Sequence, residues 1–371
     1  MRDNTIEAFF ALVRAGLWSD GNQEVRIDGA TNWNEVYRLA TEQSVLGLVL
    51  AGLECSDIKP PKESLLQWIG EVQLIEQRNK AMNVYIAELI EEMRSEGIYT
   101  LLVKGQGLAQ CYNRPNWRSS GDVDLLLSKD NYENAKAFIL SKGVRTEPEE
   151  DGRKHLAMQV GQWAVELHGT LRVGLSARVD RMLDNVQHDV FYGGQVRSWM
   201  NGQTQVFLPA ANEDVVYVFA HILQHFYAGG IGLRQICDWC RLLWTYRDSL
   251  NYGLLEQRIK RAGLMSEWKA FYNLASRYLG MPDFGSGLMI HDSRFDKKAD
   301  KICEFILVVG NFGHNRDNSY FQKHSYFVQK CISAWRRVKD LCRHATIFPV
   351  SSMRFFFGIM YNGIVSAARG E

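Results

Sequence analysis

The chain has 371 residues, 46% hydrophobic and 23% charged, which are ordinary globular values and leave room for two or three structural units. Lys plus Arg is 43 and Asp plus Glu is 42, so the net charge of +1 argues against a protein that grips long nucleic acid through many phosphates. Seven scattered cysteines do not form a secreted disulfide framework, MRDNTIEAFF is no signal peptide, and no apolar run approaches a membrane span, so a cytoplasmic protein is expected.

The first hundred residues read as a helical layer. Ile6, Phe9, Phe10, Leu12, Val13 and Leu17 fall at helical spacing over residues 4–17, with Asn4 or Thr5 as a cap. A second helix fits Asn34 to Leu53. A long amphipathic helix follows from about Lys62 to Ser95, on Leu66, Ile69, Val72, Ile75, Met82, Tyr85, Leu89 and Met93, and Gly97 ends it.

Residues 101–127, LLVKGQGLAQCYNRPNWRSSGDVDLLL, read as a buried strand, a glycine turn, a short helix, a polar loop and a second strand. The apolar run Leu101–Val103 ends at Lys104. Gly105 and Gly107 then let the backbone turn tightly and approach a ligand. A helix over 107–112, with its free N–H groups beside Lys104, makes a phosphate cradle. Arg118 offers a planar donor fork, and Ser119 and Ser120 add hydroxyls. Asp122 and Asp124, two apart on a strand, point to one face, while Val123, Leu125 and Leu127 point to the other. Paired carboxylates repel, and a divalent cation between them relieves this. Oxygen-only ligation suits Mg²⁺, with Mn²⁺ as the alternative. Taken by itself, Asp-x-Asp also fits a solvated strand end.

Asp130 to Ser141 is a helix capped by Asp130 and stopped by Gly143, and residues 152–169 are two strands meeting near Gly161. In Gln162–Gly169, Trp163, Val165 and Leu167 take one face and Ala164, Glu166 and His168 the other. If this strand neighbours that of Asp122, Glu166 joins the aspartates as a third carboxylate. Residues 195–200 and 203–208 flank Asn201-Gly202, a two-residue hairpin turn closed by Pro209.

These motifs resemble the DNA polymerase β-like nucleotidyltransferase superfamily, which has a glycine turn opening a helix, a strand bearing Asp-x-Asp and a later acidic residue. Lys104-Gly105 followed by Arg118-Ser-Ser-Gly121-Asp122-Val-Asp124 most resembles a bacterial branch of uncharacterised nucleotidyltransferases. The resemblance implies catalytic and metal-binding roles for Asp122, Asp124 and Glu166. It implies nucleotide contacts from Lys104, Gly105, Gln106, Arg118, Ser119, Ser120 and Gly121. Many members carry serine after the first glycine of the turn. Gln106 stands there in this chain, so Lys104 or Arg118 takes over that phosphate contact.

From Asn212 the pattern is mostly helical. His221 and His225 lie four apart but lack the intervening glutamate of a zinc motif, so packing or acceptor binding is expected. Cys237 and Cys240 form a lone Cys-x-x-Cys and read as core residues. Arg234 and Asp238 suit a helix ion pair or a substrate contact. Helical pattern continues through Leu254–Leu279 and Lys297–Val309, and residues 310–318 are a loop. Residues 318–354 hold seven Lys or Arg, read as a solvated helix face or an anion-attracting one, and the apolar tail 353–365 reads as a docked helix.

The expected architecture is α+β: an N-terminal helical region (1–97), a nucleotidyltransferase-like core with a small mixed sheet (98–209) and a C-terminal helical domain (210–371). The expected function is Mg²⁺-dependent transfer of a nucleoside monophosphate from a nucleoside triphosphate such as ATP. The acceptor is a hydroxyl of a small molecule or protein, contacted by His168, His221, His225, Arg234 and Asp238. A non-catalytic nucleotide- or partner-binding module on the same fold is the alternative.

Overall fold

The computed structural model describes residues 4–18, 25, 27, 30–144, 146, 154–285, 287–311 and 326–358. Within them, one six-stranded mixed sheet is flanked by helices, an α+β architecture as expected. Before the sheet come α1 (Asn4–Leu17), α2 (Trp33–Glu42), α3 (Leu46–Glu54) and α4 (Lys62–Ser95). The sheet region runs β1 (Thr100–Val103), α5 (Gly105–Ala109), β2 (Asp122–Leu127), α6 (Lys129–Ser141), β3 (His155–Val160), β4 (Trp163–His168), α7 (Ala177–Tyr192), β5 (Val196–Asn201) and β6 (Thr204–Pro209). Then follow α8 (Ala211–Ala228), α9 (Leu233–Thr245), α10 (Tyr252–Ala262), α11 (Met265–Leu279), α12 (Asp296–Val309) and α13 (Tyr326–Ala345), and residues 349–358 are also helical. No described helix is long and apolar enough to cross a membrane. The expected loop 310–318 and the tail beyond 358 lie mostly outside the described residues.

Strand order is β3-β4-β2-β1-β6-β5. β2 runs antiparallel to β1 and parallel to β4, while β6 runs parallel to β1. The period of two sorts the side chains as the sequence predicts. Val123, Leu125 and Leu127 join Leu102, Val165 and Leu167 in a core beneath the C-terminal half of α4 (Met82, Ile86, Leu89, Met93) and α6 (Tyr132, Ala135, Ile139). The opposite face carries Leu126, Leu101 and Val103 into a second core shared with α1, α3, α8 and α9. Asp122 and Asp124 lie on that second face by alternation, and so do Glu166 and His168 on β4.

Several local expectations are corrected. The single helix over 34–53 is two helices broken at Gln43–Val45, where Ser44 takes φ 56°. Gln43 sits at the break, fully buried, donating from Nε2 to the Ile306 carbonyl (3.1 Å) and accepting from the Leu233 amide (3.0 Å). The cap of α6 is Ser128 rather than Asp130, its Oγ accepting from the Asn131 amide. In the β5–β6 hairpin, Asn201 pairs with Thr204, so the turn residues are Gly202 and Gln203. Helix α7, capped by Ser176 Oγ on the Val179 amide, was not anticipated.

Candidate functional site

Backbone register assembles the carboxylates. Asp124 pairs directly with Glu166 across the parallel β2–β4 ladder, and Asp122 pairs with Ala164. One carboxylate oxygen from each of Asp122, Asp124 and Glu166 lies within 4.8 Å of the others, a set that could hold a metal ion. Asp124 is 1% exposed, and its Oδ1 accepts from Lys104 Nζ (2.7 Å) and meets His168 Nε2 (2.8 Å). Glu166 Oε2 meets His155 Nε2 (3.0 Å) and His168 Nε2 (3.3 Å). Asp122 makes no such contact among the described residues, so it meets the repulsion of its neighbours with least compensation.

The charges follow from these contacts. Asp124 and burial push the Asp122 carboxyl up to about 6. Burial alone would also raise Glu166, but hydrogen bonds from His155 and His168 outweigh it and hold Glu166 below the usual carboxylate range. Burial opposes charge on Lys104 and His168, yet the acidic neighbours prevail and raise both above their ordinary values. A carboxylate set with one member poorly neutralised, and with oxygen donors alone, fits a hard divalent cation such as Mg²⁺.

Lys104 reaches Asp124 from a strained turn. Its φ of 58° is one a side-chain-bearing residue rarely adopts, and Gly105 follows at φ 40°. The helix expected over 107–112 is α5, a single turn of buried residues that starts at Gly105. So short a helix contributes little dipole to a phosphate cradle. Gln106 is 1% exposed and braces the polar loop instead. Its Nε2 donates to Asn79 Oδ1 (2.8 Å) and Ser120 Oγ (3.2 Å), while Asn79 Nδ2 donates to the carbonyls of Asn116 and Arg118, each at 2.7 Å.

The expected Arg234–Asp238 helix pair does not form. Asp238 instead takes the whole fork of Arg118, Nε and Nη2 each at 2.7 Å, and a hydroxyl bond from Tyr112 at 2.7 Å. Arg234 Nη1 donates to the Ser119 carbonyl (2.8 Å), and its buried Nε has no hydrogen-bond partner among the described residues. Burial, with Arg118 nearby, lowers the Arg234 pKa.

Two cavities meet at the carboxylates. One, of about 130 Å³, is lined by Lys104, Gly105, Arg118, Gly121, Asp122, Asp124, His221, Arg234 and Asp238, among others. The other, of about 310 Å³, includes Lys104, Asp122, Glu166, His168, Tyr217, His221 and His225. The second lies within the range of small-molecule pockets, ~300–1,000 Å³. The structure thus brings His221 and Arg234 to a cleft that opens on the aspartates. It leaves Gln106, Ser119 and Ser120 outside both linings. Nε2 of His221 lies 3.0 Å from Nε2 of His225. Burial and Lys104 push His221 well down and His225 down to about 4, so this pair is neutral near pH 7. Cys237 and Cys240 are buried free thiols, as read.

Sequence reasoning missed His155, Tyr217, Tyr112 and Asn79. His155 was within reach: counting outward from the turn at Gly161 sets it opposite His168. Tyr217 precedes His221 and His225 at the same spacing of four on α8.

The carboxylates thus cluster where two cavities meet, and the smaller cavity sets Lys104, Arg118 and Arg234 among Asp122, Asp124 and Asp238. The profile of a family described as uncharacterised nucleotidyltransferases matches residues 29–280, and the chain belongs to that family. Its class is therefore transferase. No curated protein and no solved structure matches the chain.

Proposed function

We propose that this protein is a Mg²⁺-dependent nucleotidyltransferase of the DNA polymerase β-like kind, with Mn²⁺ as a substitute ion. It moves a nucleoside monophosphate from a nucleoside triphosphate such as ATP to a hydroxyl of a small-molecule or protein acceptor. The observation that carries this reading is the cluster of Asp122, Asp124 and Glu166 at the junction of the two cavities. The cluster would hold the ion, which when bound supplies charge neutralisation for phosphate oxygens.

The chain's own residues divide the work. Lys104 and Arg234 line the smaller cavity, where their positive charge would face the phosphates. Arg118 is tied to Asp238, which neutralises it, so its contribution is to hold the loop. Tyr217, His221 and His225 line the larger chamber, where a neutral imidazole can orient an acceptor hydroxyl without adding charge. In the transfer, the acceptor oxygen bonds to the α-phosphorus, the bond from that phosphorus to the β-phosphate oxygen breaks, and pyrophosphate leaves. The hydroxyl proton is lost to a base or to water. A cytoplasmic setting belongs to the same reading, since Cys111, Cys237, Cys240 and Cys303 are buried free thiols.

A second reading, a non-catalytic nucleotide- or partner-binding module, draws on Asp124, whose Oδ1 is already neutralised by Lys104 and His168. One experiment separates the two. The protein is incubated with Mg²⁺, an acceptor fraction from cell extract, and triphosphate labelled at either the α- or the γ-phosphorus. Acceptor labelled from the α-position alone is expected. Label from the γ-position would make it a phosphotransferase, and nucleotide binding with no label transferred would favour the module.

A further inference from the structure

A second donor set stands on the β3–β4 ladder. His155 and His168 are directly paired across the two antiparallel strands. Their imidazoles stack with centroids 4.8 Å apart and planes at 28°. Both present Nε2 to a single oxygen, Glu166 Oε2, at 3.0 and 3.3 Å. One ligand atom from each of the three residues lies within 4.8 Å of the others. In a tetrahedral site with metal–ligand bonds of ~2.0–2.1 Å, neighbouring donor atoms stand about 3.3 Å apart. The two nitrogen–oxygen distances are close to that edge length.

The chemistry of the set differs from that of the aspartates. Two imidazoles and one carboxylate suit a borderline first-row cation, whereas Mg²⁺ favours oxygen alone. All three side chains are partly open to the larger cavity, so an ion has a route in and a free coordination position. We propose that His155, Glu166 and His168 form a second cation site, for a borderline divalent ion of the Zn²⁺ or Co²⁺ type. Through Glu166 this site adjoins the Asp122–Asp124 centre. Its free position faces the chamber lined by Tyr217, His221 and His225, where it can take an oxygen of the acceptor. His168 Nε2 also lies 2.8 Å from Asp124 Oδ1, so occupation of the site replaces that hydrogen bond with a bond to the ion. The inference goes beyond the proposed transfer and does not require a nucleotide.

The test uses Co²⁺ on the full chain after removal of metals with a chelator. One equivalent is expected to give the visible band of nitrogen-ligated Co²⁺, to persist in a large excess of Mg²⁺, and to be displaced by Zn²⁺. Asp122→Asn should retain the band while losing Mg²⁺-dependent nucleotide binding. Failure of the nucleotidyltransferase reading would leave the Co²⁺ result untouched. His155→Ala should weaken Co²⁺ binding by about tenfold or more. His155→Gln, which keeps side-chain bulk on this edge strand, should do the same, with circular dichroism confirming the fold of both. Displacement of Co²⁺ by equimolar Mg²⁺, or an unchanged band in both His155 variants, would overturn the proposal.

Discussion

At the scale of single residues, the site is a balance of charges in which Asp122 is the least compensated member. Its carboxyl is pushed from 3.8 up to about 6, chiefly by Asp124. Between these values the folded chain binds more of that proton than the unfolded chain, so this group's contribution to stability falls as pH rises through the window. The shift corresponds to at most ~3 kcal/mol in the metal-free protein. Asp122→Asn, which cannot ionise, is expected to melt a few degrees above the wild type at pH 7 in chelator. The gap should close as the pH approaches 4, and a gap that is absent at pH 7 or unchanged at pH 4 would contradict the account. Asp238→Asn has the opposite effect. It leaves the buried guanidinium of Arg118 without its counter-charge, and a loss of ~3–5 kcal/mol is expected in a denaturant titration. The carboxylates were legible because strand alternation alone fixes which way they face. The partner of Arg118 was not, because it lies 120 residues further along the chain.

At the scale of elements, the loop that carries Arg118 is held between α3 and α4. Trp117 donates from Nε1 to Glu76 on α4 (2.9 Å), and Asn79 holds the Arg118 carbonyl. On the other side Gly47 of α3 lies so close that an added Cβ would sit 2.1 Å from the Trp117 carbonyl oxygen. Gly47→Ala must push the loop away, at a cost of ~3 kcal/mol or more, and should weaken nucleotide binding by displacing Arg118. A variant with wild-type melting and affinity would show that the loop is not fixed from this side. The long helix α4 and the existence of both hairpins were legible, since periodicity is a local signal, although the β5–β6 turn falls one residue later than the Asn201-Gly202 motif suggests. The break between α2 and α3 was not, because Gln43 looks like an ordinary polar helix residue until Leu233 and Ile306 arrive to be bonded. Helix α7 did carry a local signal in Val179, Met182, Leu183, Val186 and Val190, which buries one face, and that signal went unread.

At the scale of the whole molecule, one continuous hydrophobic cluster takes residues from α1 and α3, from β1 and β2, and from α8 to α12. The sheet and the C-terminal helices therefore enclose the two cavities between them, and α8 contributes Tyr217 and His221 to the walls. A wall residue of this kind should affect transfer more than nucleotide affinity. His221→Ala is expected to lower transfer to the acceptor by about tenfold or more while leaving the nucleotide dissociation constant nearly unchanged. Equal losses in both would assign His221 to the nucleotide instead. The central claim is that Asp122 and Asp124 bind nucleotide through a divalent cation, and calorimetric titration of nucleoside triphosphate tests it most directly. The wild type should bind with Mg²⁺ and lose that binding in chelator, and folded Asp122→Asn and Asp124→Asn should show no Mg²⁺-dependent binding. Unchanged Mg²⁺-dependent binding in both variants would contradict the account.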